Sequence, residues 1–423
     1  MEYLPRIVDQ ELDELLQSLP AVALEGPRGV GKTATAARRA TKVFRLDDPG
    51  QLEVLAADPS LLDVGEGSVL IDEWQRYPPS WDHVRRRVDD GARPGEFLLT
   101  GSAQPVEVPA HSGAGRIVQL RMRPMSLAER GLEVPTVSLR QLLAGEDTAI
   151  AGSTHIGLRD YVREILASGF PGIRPLPERT RRVQLEGYVT QVVRRDFPDQ
   201  GLRVRRPLEL RAWLTAYAAA TSTTTTYNRL LDAATPGEAD KPSKPTTIAY
   251  RDVLSSLWLL DPVPGWSTSQ SHLNRMTQAP KHHLADPALA AHLLGVGADA
   301  LLRGEAPGPD VPRDGTLLGA LFESLVTLSV RIYAQANEAT VQHLRTKDGR
   351  HEIDLIIEGF DKRVVALEVK LARTVRAEDV RHLHWLREQL GERLLDAAVV
   401  TTGTQAYRRQ DGIAVVPASL LGV

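Results

Sequence analysis

The sequence contains no cysteine, an absence that removes disulfides, thiolate catalysis and cysteine-ligated zinc at once. Any metal must therefore sit on oxygen or imidazole ligands. Lysine is scarce as well: of 51 basic residues only 8 are lysine and 43 are arginine. A lysine retained against that background points to a use for its compact ammonium. Apolar runs approaching the about 20 residues that cross a bilayer are lacking. The amino-terminal MEYLPRIVDQ carries Glu2 and Asp9 and has no signal-peptide core. A cytoplasmic protein with no membrane span is expected. The net charge of −3 gives no global attraction to nucleic acid, so such a role would have to rest on a local patch.

What is present is a chain of 423 residues, 42% hydrophobic and 25% charged, long enough for two to four globular domains. Leu12, Leu15, Leu16 and Leu19 fall on one face of a helix, and Ala21 to Leu24 form a short buried strand after it. Further strands are expected at Lys42 to Leu46, Ser68 to Ile71, Glu96 to Thr100 and Ile117 to Met122. Their alternation with helices predicts an α/β unit over residues 1–150, built on a parallel sheet covered on both faces. A helical pattern follows, with apolar spacing at Leu158 to Ser168 and Arg182 to Arg194, read as a helical lid over residues 151–200 and a helical module beyond it. The Thr223 to Thr226 run and the insert from Thr235 through Pro245 read as turns or an exposed loop. Thr247 to Leu260 resembles a recognition-type helix leading into the extended Asp261 to Trp266, so residues 201–310 are expected to be winged-helix-like. From about 311 to 423 the order is a helix, three strands near Val341 to Arg345, Glu352 to Ile357 and Val364 to Val369, a helix from Ala377 to Leu390 and a strand at Ala397 to Thr401.

The first strand runs into Gly26-Pro27-Arg28-Gly29-Val30-Gly31-Lys32-Thr33, with Ala34 continuing into a helix. Glycines at these spacings let backbone amides close around phosphates, Lys32 reaches the β and γ oxygens, and Thr33 holds Mg²⁺. Val69-Leu70-Ile71-Asp72-Glu73 is an apolar strand ending in two acids. Asp72 would orient Mg²⁺ and Glu73 would polarise the attacking water. Phe97 to Ser102 is another strand ending in hydroxyl residues, with Ser102 or Thr100 suited to a sensor beside the γ-phosphate. ATP and Mg²⁺ are the expected ligands.

These motifs, with Tyr3-Leu4-Pro5-Arg6, Ile71-Asp72-Glu73-Trp74-Gln75, Leu99-Thr100-Gly101-Ser102, Gly115-Arg116 and Pro124-Met125-Ser126 with Glu129, resemble prokaryotic AAA+ ATP-binding proteins with a carboxy-terminal DUF4143 domain. The resemblance continues through Gly169-Phe170-Pro171, Arg194-Arg195-Asp196, Leu321-Phe322-Glu323 and His351-Glu352-Ile353-Asp354. It implies an AAA+ P-loop parallel sheet with a helical lid, a winged-helix-like middle region and a restriction-endonuclease-like α/β domain. It adds Arg6 and Pro171 to the nucleotide-binding set, Pro171 packing against the adenine. Arg116 lies where AAA+ proteins carry an arginine finger that completes a neighbour's site, so a homo-oligomer is implied.

Glu323 on a helix, Asp354 in the second strand and Glu368-Val369-Lys370 in the third are similar to the layout of PD-(D/E)XK nucleases. Asp354 and Glu368 would bind Mg²⁺ while Lys370 positions water or steadies phosphate charge. The spacing of 14 between Asp354 and Glu368 suits two strands joined by a tight hairpin. Between Arg159 and Arg211, including Arg203, Arg205 and Arg206, 12 arginines face seven acids, a candidate phosphate-binding face. His272, His282 and His283 are expected at the surface. Two readings stay open: an ATPase controlling a half that binds DNA or RNA with Mg-dependent nuclease activity, and a STAND-like switch that recruits a protein partner through a silent nuclease-like domain.

Overall fold

The computed structural model describes residues 3–63, 65–103, 113–145, 149–202, 206–235, 243–267, 278–309, 311–313, 315–346 and 348–423. Arg203, Arg205, His272 and residues 236–242 of the insert lie outside them.

Strands β1 (Ala21–Glu25), β2 (Lys42–Arg45), β3 (Val69–Asp72), β4 (Phe97–Gly101) and β5 (Val118–Arg121) run parallel in the order β2-β3-β4-β1-β5. Parallel strands need cover on both faces, and the side-chain alternation of β1 supplies it. Val22 and Leu24 enter one apolar cluster, Ala21 and Ala23 the other. On the second face Trp74 and Trp81 pack with ring centroids 4.4 Å apart. The order puts the carboxyl ends of β1, β4 and β3 side by side, where the glycine loop, the hydroxyl residues and the acid pair are carried.

Beyond the sheet, β6 (Val137–Ser138) pairs with the chain's last strand, β15 (Leu421–Gly422). The expected helices appear as Leu158–Ala167 and Glu178–Gln191, the latter running into a π turn at Val192–Asp196. Three more follow, Pro207–Ala219, Tyr227–Ala234 and Lys244–Ser256. The last begins earlier than the sequence reading placed it, because Ser243 caps it by accepting from the Thr246 amide at 3.3 Å.

The carboxy-terminal sheet is larger than expected. Strands β7 (Gly152–Ser153), β8 (Gly265–Trp266), β9 (Thr340–Arg345), β10 (Glu352–Glu358), β11 (Val364–Lys370), β12 (Leu394–Thr401), β13 (Gln405–Arg408) and β14 (Ala414–Pro417) form one eight-stranded sheet, order β7-β13-β14-β12-β11-β10-β9-β8. Its edges are recruited from before residue 311, so the sheet does not stop at the boundary read from the sequence. The extended Asp261 to Trp266 segment, read as part of a winged-helix-like region, ends in it as β8. Trp266 is fully buried, and its indole Nε1 donates to Glu358 Oε2 at 2.8 Å. The bridges Leu260 to Leu284 and Val263 to Lys281 make a short antiparallel ribbon leading there. His282 and His283, expected at the surface, are buried on this ribbon, and His282 Nε2 lies 2.6 Å from the Thr225 carbonyl. Burial pushes both imidazoles below their ordinary range, so they are neutral.

Helix Leu317–Gln335 lies in the main apolar cluster, which also contains β1 side chains and Val365, Leu367, Ala398 and Val400 of the second sheet. By length and a mean hydropathy of 1.5 this helix could cross a membrane, which the sequence reading did not flag. However, 78% of that window is buried inside the protein.

One buried carboxylate ties the parts together. Asp261 lies 3.1 Å from Arg121 Nη2, 2.9 Å from Arg123 Nε and 2.9 Å from Arg331 Nη1. Burial pushes its carboxyl up, but the three guanidinium groups outweigh that and hold it far below the usual range. Replacing Asp261 by Ala should therefore lower unfolding stability by about 3–5 kcal/mol, since it strands three arginines without a counter-charge. Denaturant unfolding of the variant checks this, and a loss under about 1 kcal/mol would show the node to be dispensable.

Candidate functional site

The glycine loop is shaped by close approach and by left-handed backbone. A side chain at Gly26 would place its Cβ 2.1 Å from the Met122 carbonyl oxygen, so only glycine lets β1 turn beside β5. Gly29 and Gly31 have φ of +79° and +106°, and Val30 between them anchors the loop in the main core. Helix Lys32–Ala37 begins there. Lys32 is buried, its ammonium donating to the carbonyls of Gly26 at 2.7 Å and Pro27 at 3.0 Å. Burial lowers it to about 8, against the pull of Glu73 and Asp72. Ala34 is exposed on the first turn of the helix.

Asp72 ends β3, and Glu73 turns into the left-handed region at φ +55°. The turn sends the two carboxylates to different partners. Asp72 Oδ1 accepts from Thr33 Oγ1 at 2.7 Å and from Thr100 Oγ1, while Ser102 Oγ donates to Glu73 Oε2 at 2.8 Å. Gln75 Nε2 also donates to Glu73. The sequence reading offered Ser102 or Thr100 as a sensor beside the γ-phosphate; here each hydroxyl bonds one of the two acids. A hydroxyl and a carboxylate within 2.7 Å of each other are hard oxygen donors, so Thr33 and Asp72 fit Mg²⁺. The loop behind them fits a phosphate chain.

The turn after helix Leu158–Ala167 packs on the loop. Pro171 Cγ comes within 4.0 Å of the position a Cβ would take at Gly31, and Phe170 Cδ1 within 3.9 Å at Gly29. Asp286, fully buried, accepts from Ser168 Oγ and the Gly169 amide, both at 2.6 Å, and so fixes the lid turn. Arg6 braces the loop: its guanidinium donates to the Val30 carbonyl at 2.8 Å, the Arg123 carbonyl at 2.7 Å and Glu129 Oε1 at 2.9 Å. Arg28 reaches outward, 2.7 Å from Asp196 on the π turn. A cleft of about 510 Å³ opens there, lined by Arg28, Gln75, Ser102, Tyr188, Asp196 and Leu257 among others.

Arg116 stands before β5, at the amino ends of the parallel strands and so across the sheet from the glycine loop. Half-exposed, it pairs with Asp89 at 2.8 Å.

In the carboxy-terminal sheet the hairpin register pairs Leu355 with Leu367, which sets Asp354 opposite Glu368. The Asp354 amide donates to Glu368 Oε2 at 3.3 Å, and Asp354 Oδ2 accepts from the Val369 amide at 2.9 Å. Glu323 approaches from helix Leu317–Gln335, and Lys370 Nζ lies 3.9 Å from Glu368 Oε1. Lys281, which the sequence reading passed over, sits among them: its Nζ is 2.9 Å from both Glu323 Oε1 and Asp354 Oδ1. Burial pushes both Glu323 and Glu368 above the ordinary carboxylate range, whereas Lys281 and Lys370 overcome burial at Asp354 and hold it low. The expected Asp354 and Glu368 pair is thus brought together, with the Lys281 ammonium against Asp354 and Glu323. Among the described residues no group of three or more His, Asp or Glu side chains is arranged to hold a metal ion.

Residues 18–130 match the AAA domain family. Over those residues the amino-terminal unit is similar to AAA domains. Residues 318–421 match DUF4143 and residues 158–300 match DUF8612, both domains of unknown function. The chain is 26% identical over 416 residues to the uncharacterized proteins Mb2031c of Mycobacterium bovis and Rv2008c of Mycobacterium tuberculosis, covering 96% of this chain and 82% of theirs. Among solved structures, the Walker-type ATPase PABY2304 of Pyrococcus abyssi is 14% identical, covering 67% of this chain and 94% of its own, with a TM-score of 0.40. A Thermotoga maritima RuvB is 18% identical, covering 61% and 89%, with a TM-score of 0.26.

Sequence reasoning also missed Glu25 and Asp196 as members of the site. Glu25 was legible as the acid ending β1. Burial raises it to about 7, and Gln119 donates to it at 2.9 Å. Lys32 is charged below its value near 8 and neutral above it, so affinity for a phosphate chain should weaken up to about tenfold per pH unit beyond that point. Ionisation of Glu25 acts in the same direction around pH 7. Titration of a fluorescent ATP analogue from about pH 6.5 to about pH 9 checks this, and a flat profile would show that Lys32 stays charged throughout.

Proposed function

We propose that this chain binds and hydrolyses ATP, and that its nucleotide state controls the carboxy-terminal half. The observation that carries the reading is the division of labour at the strand ends: Asp72 gathers the hydroxyls of Thr33 and Thr100, while Ser102 and Gln75 hold Glu73 apart from them. The loop of Gly26, Pro27, Arg28, Gly29, Val30 and Gly31 cradles the phosphates, and Lys32 binds the β and γ oxygens. Mg²⁺ held by Thr33 and Asp72 would neutralise charge on those oxygens. Glu73 orients the attacking water and takes its proton, and Pro171 bounds the base end of the pocket. Arg116 serves the site of a neighbouring copy in a homo-oligomer.

The path from this site to the second sheet is short. Met122 packs against Gly26, and its neighbours Arg121 and Arg123 grip Asp261, which also holds Arg331 of helix Leu317–Gln335. Movement of the loop is thereby passed to the carboxy-terminal unit.

For the output, DNA or RNA binding rests on the arginines between 159 and 211. Of these, Arg163, Arg174, Arg182, Arg206 and Arg211 are engaged in ion pairs, and Arg159, Arg179, Arg194 and Arg195 are exposed. The second reading, a STAND-like switch that recruits a protein partner through a silent nuclease-like domain, is favoured by Lys281 standing among the carboxylates.

Lys32→Ala should abolish nucleotide binding, whereas Glu73→Gln should keep binding and lower kcat by about 100-fold or more. Phosphate release and nucleotide titration on the same preparations decide it, and undiminished turnover by Glu73→Gln would remove Glu73 from the mechanism. Mixing Arg116→Ala with Glu73→Gln subunits should recover part of the activity. No recovery would count against Arg116 acting between subunits. Filter binding with duplex and single-stranded probes at low salt separates the two outputs: retention of a probe supports the nucleic-acid reading, and its absence removes it.

A further inference from the structure

We propose that Lys281 is the resident cation of the carboxy-terminal acid cluster, and that this cluster takes up no divalent metal. The inference is independent of the ATPase reading, because it concerns another sheet.

The ammonium has three N–H groups and three carboxylates around it: Glu323 and Asp354 at 2.9 Å and Glu352 at 3.4 Å. Its side chain is 1% exposed. A Mg²⁺ ion would need its oxygens at about 2.0–2.1 Å in near-octahedral array. An ion that close to both Glu323 Oε1 and Asp354 Oδ1 would overlap the Nζ already seated between them. The second Asp354 oxygen is committed to the Val369 amide, and Glu368 lies between the Asp354 amide and Lys370.

Lys281 is not a mobile surface side chain that happens to lie nearby. Its backbone exchanges two hydrogen bonds of 2.9 Å with Val263, so the ribbon that enters the sheet at β8 fixes the ammonium in place. In a chain with 43 arginines and 8 lysines, this position carries a lysine. A planar guanidinium would not fit three converging carboxylates as a compact tetrahedral donor does. Asp261 lies on the same ribbon. The acid cluster therefore acts as a fastening: it locks the ribbon to helix Leu317–Gln335 and β10 by charge, where a nuclease would hold metal.

Mn²⁺ binding followed by electron paramagnetic resonance tests this on the full chain without nucleotide, with Asp72→Asn removing the metal position at the glycine loop. The Asp72→Asn protein is expected to bind no Mn²⁺, and a stoichiometric ion that disappears when Asp354→Asn is added would overturn the proposal. In the same background Lys281→Ala should create one Mn²⁺ site that Asp354→Asn abolishes, with an unfolding midpoint that is lowered and then raised again by Mn²⁺. A folded Lys281→Ala protein that takes up no Mn²⁺ would overturn the role given to Lys281. Lys281→Gln replaces it should the alanine variant fail to fold, and the Lys281-intact measurement stands in either case.

Discussion

The close approach of β5 to the start of the glycine loop is the constraint on which the rest of this structure depends. Because Gly26 has no side chain, Met122 can lie against it, and the two residues flanking Met122 then point their guanidinium groups at a single carboxylate, Asp261. That carboxylate belongs to the ribbon feeding the second sheet and also holds Arg331 on the long buried helix. Buried charges of this kind persist only when geometry satisfies them, which is why the node holds these elements in one arrangement.

At the glycine loop the chemistry follows from strand order. Placing β4 between β1 and β3 brings Thr100 and Ser102 between the loop and the acid pair, and the left-handed turn at Glu73 separates the two acids. One acid is then held with hydroxyls suited to a cation, and the other is held by Ser102 and Gln75, suited to water. The cleft beside Arg28 and Asp196 is lined by residues of the helical segment as well as of the first sheet.

The carboxy-terminal sheet makes the contrary point about inferring chemistry from spacing. Glu323, Asp354, Glu368 and Lys370 do converge, as their order along the chain led us to expect, yet the convergence is completed by a lysine from a distant segment. Composition of a motif does not reveal what a remote residue has already neutralised.

The strands of the first sheet, the loop from Gly26 to Thr33, and the Asp72 and Glu73 pair were all legible because each depends on neighbours close in sequence: apolar runs, glycine spacing, acids at a strand end. The long helix, β9 to β12 and the order of elements around them were legible for the same reason. Asp261, Asp286 and Lys281 were not, since each acts on partners far away along the chain, and a lone Asp or Lys carries no periodicity. The surface histidines were misread because burial is a property of the packed chain: His282 and His283 take their environment from the Thr223 and Asp261 backbone they bond. Local patterns, then, determined the elements and the phosphate-binding loop. Only the tertiary structure decided which charges meet, because electrostatic pairing in a folded protein is set by distance in space and by exclusion of water, and neither is written along the chain.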